Sequence, residues 1–333
     1  MSTKKSRNEN AKGPQDHRAE ANMPMAELFG LPAKDGLSSH PRTPQPIMVT
    51  VLPVPDDPEV AALIPQVDER HVFPAAVTKA MMIGLQLSMS VYLFGPAGTG
   101  KTSLVRQACA RTRRPWLRVQ HTDTTEESQI VGQWTVRDGS TEFQLGPLAM
   151  AMKLGLCYVA DEFDFGRPSV LSVYHAVLEG EPLVIPEAPP SIRTIEAHPN
   201  FRLVGTGNTN GTGDERGLYQ GTRLQNAALY SRWAITEELA YLDAEAEIRI
   251  LEGQAGLPSA TAAKFVEFAK AVREGFAAQR IGLPIGPREL IACARIGKIR
   301  GGNYRAGLAS GFTNRLSRVD KLAVDQLAQR VFG

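Results

Sequence analysis

Between the apolar run Val91–Phe94 and the helical run that opens at Ser103 lies Gly95-Pro96-Ala97-Gly98-Thr99-Gly100-Lys101-Thr102. Glycines so closely spaced weaken any regular element, so a chain keeps them where its backbone must turn sharply or approach something closely. Placed after a buried strand and before a helix, they let backbone N–H groups curl around a phosphate, and the helix N-terminus adds partial positive charge. Lys101 then reaches the β and γ phosphates, Thr102 offers a hydroxyl to Mg²⁺, and Ser103 closes the loop. A glycine turn with an incidental lysine would not need a strand and a helix on its correct sides.

A strand–loop–helix unit of this kind points to an α/β fold with a parallel sheet. From Val72 onward helices alternate with short apolar runs, as a layered parallel sheet requires. Strands are expected at Val91–Phe94, Trp116–Gln120, Leu156–Ala160, Phe201–Thr206 and Ala234–Leu239, giving a five-stranded core. Two alternating runs flank Asp138-Gly139 within Trp134–Leu145, which predicts a hairpin. A second small hairpin is expected across Leu183–Ile195, turning at Pro186 to Pro190. After Leu242 the apolar residues Ile248, Leu251, Phe265, Val266, Phe268, Val272 and Phe276 take helical spacing, predicting a small all-helical lid.

The expected division is therefore residues 1–45 as a disordered, basic and proline-rich tail with a short apolar island, 46–242 as the core, and 243–333 as the lid. Residues 1–24 are polar and nearly free of aromatics, too poor in apolar surface to offset ordering entropy. The island Met25–Leu31 reads as a short helix docking on the body or on a neighbour. Pro32 to Pro65 reads as extended linker with one strand at Ile47–Leu52.

The third expected strand runs into Asp161-Glu162, placing two carboxylates at the carboxyl end of a buried parallel strand, where open α/β sheets bind ligands. Alone such a pair is a helix cap. Beside a phosphate loop, Asp161 is a candidate for the Mg²⁺ shell and Glu162 for orienting and deprotonating an attacking water. Asn208 ends the fourth strand, where it could hold that water and sense the γ-phosphate; otherwise it is a turn residue. Arg232, just before the fifth strand, is a candidate finger reaching a neighbouring subunit's site, with Arg223 as second choice. Arg288, at the proline-initiated start of a lid helix, could reach back to the nucleotide. A surface salt bridge is the alternative for Arg232 and Arg288.

A net charge of +2 gives no global reason to expect nucleic acid or an anionic membrane as partner. The basic stretch Arg280 to Arg330 reads as a solvated helical face. No secretory signal or charge-free membrane span is readable, and Cys109, Cys157 and Cys293 are odd in number and far apart, which together predict a reducing, cytoplasmic location. The six histidines show no ligand spacing, and no nucleophile-elbow pattern is present.

GPAGTGKT, VADEFD, VGTGN, SRW and GPREL, in this order, resemble the AAA+ ATPases of the MoxR group. VADEFDFGRPSVLSVYHAVLEGEPL, HPNFRLVGTGNTNGTGDERGLYQGT and the QRVFG ending are similar to the small ATPase subunits of aerobic cobaltochelatases and their relatives, many of them in phages. The likeness runs from about Ile64 to the end, with Phe29-Gly30 matching a short N-terminal element; the proline-rich insert and basic tail depart from it. The resemblance implies an αβα core with hairpin inserts, a helical lid, a hexameric ring and ATP with Mg²⁺ between subunits. It implies phosphate-loop roles for Lys101 and Thr102, Mg²⁺ and water roles for Asp161 and Glu162, a first sensor at Asn208, a finger at Arg232 and a second sensor at Arg288. Ser231 stands where the family commonly has an acid beside the finger. An adaptor bearing a von Willebrand factor A domain is the implied partner. The expected activity is remodelling of a protein partner; the alternatives are cobalt insertion into a corrin precursor, a nucleic-acid motor, and a module holding ATP as a structural ligand.

Overall fold

The computed structural model describes residues 21–38, 43–214, 219 and 221–333 of the chain. The expected disorder of residues 1–20 lies outside the described residues. At residues 21–24 the expectation is corrected: Ala21–Pro24 form strand β1, which pairs antiparallel with β2 (Met48–Val51). Helix α1 (Met25–Phe29) follows β1 as the expected island helix, and within the expected linker the predicted strand is present as β2, to which a 3-10 turn at Ala33–Gly36 and α2 (Pro58–Ala61) are added. The physical reason is a single helical turn. Met25 and Phe29 stand four residues apart on one face of α1 and are buried with Val49, Phe73 and Met81, Phe29 meeting Phe73 edge to face at 4.9 Å. The island therefore docks on the body.

The central layer is built from α3 (Ala75–Gln86), β3 (Val91–Phe94), α4 (Lys101–Arg111), β4 (Trp116–Gln120), α5 (Glu127–Val131), the hairpin β5 (Gly132–Arg137) and β6 (Ser140–Leu145), and α6 (Pro147–Leu154). It continues with β7 (Cys157–Asp161), α7 (Pro168–Leu171), α8 (Tyr174–Leu178), the hairpin β8 (Leu183–Val184) and β9 (Thr194–Ile195), β10 (Arg202–Gly207), α9 (Ala227–Tyr230) and β11 (Ile235–Glu238). Five strands form one parallel sheet in the order β11-β3-β10-β7-β4. The inner strands β3, β10 and β7 are buried on both faces and read as largely apolar runs, whereas the edge strands β4 and β11 are part exposed and carry polar residues. Alternate residues still serve different cores: Tyr92, Tyr158, Ala160 and Leu203 pack on one face, and Val91, Leu93, Cys157, Val159 and Val204 on the other.

β7, β10 and β11 begin one residue later than expected, because the ladder starts where neighbours pair, as at Trp116 with Cys157. In the β5–β6 hairpin Asp138 and Gly139 both have positive φ, 51° and 80°, the two left-handed residues of the tightest hairpin turn.

The C-terminal helices are α10 (Ala244–Ala255), α11 (Ser259–Ala277), α12 (Pro287–Ile299), α13 (Tyr304–Gly311) and α14 (Arg318–Phe332). They enclose a separate core in which Leu251, Phe265, Phe268, Cys293, Leu308 and Val324 are buried. Asp243, Asn303 and Ser317 cap three of these helices with side-chain acceptors, and Pro287 opens α12 where a missing N–H costs nothing. Cys109, Cys157 and Cys293 are free and buried. Among the described residues no helix is long and apolar enough to cross a membrane.

Candidate active site

Inserting β10 between β3 and β7 brings three strand ends together: the glycine loop after β3, the acidic pair after β7 and Asn208 after β10. This strand order is a topological switch, where a parallel sheet leaves a crevice at its carboxyl edge. Gly95 has φ of 140°, and a Cβ there would lie 2.4 Å from the Leu239 carbonyl oxygen, so only glycine fits. At Gly98 a Cβ would meet the Glu289 carboxylate at 3.2 Å and Arg288 Cβ at 3.7 Å, so the start of α12 closes directly over the loop.

Lys101 Nζ donates to the carbonyls of Gly95 at 2.7 Å and Pro96 at 3.0 Å and to Asn208 Oδ1 at 3.2 Å. Burial of its ammonium pulls its pKa down to about 8, opposed by the carboxylates of Asp164 and Asp161. Thr102 Oγ1 donates to Asp161 Oδ1 at 2.8 Å, and the Thr206 hydroxyl donates to the same oxygen. The other oxygen of Asp161 accepts from Arg118 Nε at 2.5 Å. A hydroxyl and a carboxylate fixed side by side beneath a phosphate loop are hard oxygen donors of the kind Mg²⁺ takes, so these residues fit that ion.

Glu162 sits in the left-handed region at φ 52°, a conformation costly for a non-glycine residue and often found at functional sites. Its Oε2 accepts from Gln120 Nε2 at 2.6 Å. Asn208 is positioned through its backbone: its N–H and that of Thr209 donate to Asp164 Oδ2 at 2.8 and 2.9 Å. Asp164 is fully buried, and desolvation pushes its pKa up against those hydrogen bonds.

Gly98, Thr99, Gly100 and Ser103 line a cavity of about 500 Å³, shared with Arg288 and Ile291 of α12 and with the segment from Gln66 to Val72. The core and the lid thus wall one space of the size small ligands occupy. His71 in that wall has its pKa pulled down to about 4 by burial, which keeps it neutral near pH 7.

Arg232 is not brought to this crevice. Its Nε donates to Glu179 Oε1 at 2.7 Å, and its carbonyl accepts from Ser90 Oγ just before β3 begins. Because β3 climbs about 10 Å from Val91 to Phe94, Arg232 and the glycine loop of the same chain stand at opposite edges of the sheet. Arg223 lies nearer, with its backbone N–H donating to the Asp164 carbonyl at 3.0 Å and its guanidinium paired with Asp123.

Four residues at the site escaped sequence reading. Asp164 was hidden as the last acid of Asp161-Glu162-Phe163-Asp164, although its three-residue offset is a turn's reach. Arg118 and Gln120 alternate on β4 and could have been found as a pair of polar residues on one face of the edge strand beside β7. Tyr219, whose hydroxyl accepts from Ala97 N–H of the glycine loop at 3.2 Å, carries no local signal.

A family model described as the AAA domain (dynein-related subfamily) matches residues 90–233. The chain is 32% identical over 295 residues to the aerobic cobaltochelatase subunit CobS of Sinorhizobium sp., covering 85% of this chain and 87% of that protein. It belongs to the MoxR-type AAA+ ATPases. This ATPase is also 27% identical over 276 residues to protein NorQ of Paracoccus denitrificans, covering 81% of this chain and 93% of that one. Among solved structures, the Thermotoga maritima RuvB Holliday junction branch migration motor is similar over 80% of this chain and 72% of that one, at 16% identity and a TM-score of 0.47. Family membership carries nucleotide binding and ATP hydrolysis in general for this MoxR-type ATPase.

Proposed function

We propose that the chain is a ring-forming motor that hydrolyses ATP with Mg²⁺ to remodel a protein partner, engaged through an adaptor bearing a von Willebrand factor A domain. The observation that carries the catalytic half of this reading is the Thr102–Asp161 hydrogen bond at 2.8 Å, which joins the helix after the phosphate loop to the acidic end of β7. In this reading the loop from Gly95 to Ser103 wraps the phosphates with backbone N–H groups. Lys101 exchanges its carbonyl partners for the β and γ phosphate oxygens, while Asn208 stays within reach of its ammonium. Thr102 and Asp161 hold Mg²⁺, which when bound neutralises charge on the phosphate oxygens. Glu162 orients the attacking water and accepts its proton once Gln120 releases the carboxylate. Arg288, which lines the cavity from α12, reads the nucleotide from the lid.

Arg232 stands at the edge of the sheet opposite its own site, so it serves the site of an adjacent subunit; this supports a ring, and the family's hexamer is the size proposed. Breaking the Glu179 pair is a modest cost because Glu179 is half exposed. The protein works inside the cytoplasm. Nucleic acid is not a proposed partner: Arg295 and Lys298 of the basic stretch donate to the Gln254 and Gly256 carbonyls at the end of α10, so they serve the lid's own structure.

A second reading is favoured by one finding. The similarity to CobS covers nearly the full length of both chains, which supports a motor subunit driving cobalt insertion into a corrin precursor. Both readings share one catalytic test. Glu162→Gln keeps the shape and hydrogen bonding of the side chain but cannot take a proton, so it is expected to bind ATP and lose turnover by at least about a hundredfold. Equal steady-state rates for wild type and Glu162→Gln would remove Glu162 from the water-activating role.

A further inference from the structure

β4 lies beside β7 with Arg118 opposite Val159 and Gln120 opposite Asp161. Residues two apart share a face of a strand, so these two polar side chains point toward the same edge of the crevice. Each takes one member of the acidic pair: Gln120 holds Glu162 at 2.6 Å, and Arg118 holds Asp161 Oδ2 at 2.5 Å through Nε and again through Nη2. Asp161 is nearly closed to solvent at 4%, whereas the Arg118 side chain is 43% exposed. β4 needs no charge there to pair with β7, because the pairing is carried by backbone hydrogen bonds. The guanidinium instead lies on the oxygen of Asp161 that Thr102 leaves free, where it meets half of the carboxylate proposed to hold Mg²⁺.

We propose that Arg118 is a positioning residue that competes with Mg²⁺ for Asp161 and so sets the free Mg²⁺ concentration at which the nucleotide site fills. The inference rests on the nucleotide reading above. Thr206 and Thr102 already donate to Oδ1, so the side chain is aligned by three donors and cannot rotate away from Arg118 without losing them. A cation arriving beside Asp161 therefore meets a fixed positive charge a few ångströms away, and that repulsion persists for as long as Asp161 holds Arg118 in place. Lys101 adds a second fixed charge on the phosphate side, which makes the local Mg²⁺ demand higher than a carboxylate alone would give.

The test is a titration of free Mg²⁺ into the full-length protein with a fluorescent, non-hydrolysable ATP analogue, read as analogue binding rather than turnover. Arg118→Gln and Arg118→Met are expected to lower the half-saturating Mg²⁺ by at least about fivefold, the scale of one unit charge at this distance in a partly solvated site. Arg118→Lys keeps the charge but loses the two-armed grip on Asp161, so it is expected to fall between the wild type and the neutral variants. Analogue affinity in EDTA is expected to be unchanged in all of them, since Arg118 would not touch the phosphates. An unchanged or raised Mg²⁺ requirement in both neutral variants overturns the proposal, and so does a loss of affinity in EDTA, which would make Arg118 a phosphate ligand. If the wild type binds no analogue under any condition, the nucleotide reading itself fails.

Discussion

Lys101 carries the charge on which the site depends, and it is buried with carbonyl partners that cannot neutralise it. Its pKa near 8 lies below the ordinary value of 10.5, so between those two pH values the folded chain binds fewer protons at this position than the unfolded chain. Stability contributed by this group therefore rises with pH across that window. Phosphate binding has the opposite demand, because it favours the ammonium. ATP affinity is expected to be flat below about pH 8 and to fall up to about tenfold per unit above it. Calorimetric titrations at pH 7, 8 and 9 check this; constant affinity over that range would place the lysine outside the phosphate contact.

Asp164 belongs to the same scale. Three donors from Asn208 and Thr209 converge on its Oδ2, and no other acceptor replaces it. Asp164→Ala strands the buried Thr209 N–H and the part-buried Asn208 N–H and should cost about 2–4 kcal/mol, measured by denaturant unfolding. Asp164→Asn retains an acceptor oxygen and should recover most of that loss. Nothing local in the sequence announces this role, because it arises only when the turn after β7 meets the end of β10 in space. The glycine loop was legible for the converse reason: Gly95, Gly98, Lys101 and Thr102 announce themselves within one strand, one turn and one helix start.

At the scale of elements, the three inner strands were readable as short, largely apolar runs buried on both faces, and the edge strands β4 and β11 as shorter apolar starts that give way to polar residues. The hairpin at Asp138-Gly139 was readable from turn chemistry alone. In the N-terminal segment the docking helix at Met25–Phe29 and the strand at Met48–Val51 were legible from their apolar residues, while the order of residues 21–24 was not, because it comes from pairing with β2 rather than from their own composition. Met25, Phe29, Val49 and Val51 are the segment's buried apolar residues, set in a proline-rich remainder. Phe29→Ala is expected to cost about 3–5 kcal/mol of local docking energy. Because β1, α1 and β2 lie at the periphery of the sheet layer, the cost should appear as loss of hydrogen-exchange protection confined to residues 21–51, with the central strands still protected. Loss of protection throughout β3, β7 and β10 would instead make the segment part of the cooperative core.

At the scale of the whole molecule, the crevice has its phosphate loop, acidic pair and lid arginine in one chain, while Arg232 faces away from them. A site completed by an adjacent copy has a distinctive genetic signature. Arg232→Ala and Lys101→Ala should each abolish turnover alone, yet a mixture should recover a fraction of wild-type activity, since some interfaces join an intact loop to an intact arginine. No recovery at any mixing ratio, with assembly verified by light scattering, would remove the shared-site account.

The account as a whole rests on a triphosphate lying across the carboxyl edge of the sheet with its metal between Thr102 and Asp161. Isothermal titration of ATP into the full-length protein, in excess Mg²⁺ and again in EDTA, measures that directly. Saturable binding that strengthens with Mg²⁺ in the wild type and disappears in Lys101→Ala is the expected result. Affinity indifferent to Mg²⁺, or unchanged by Lys101→Ala, would contradict it.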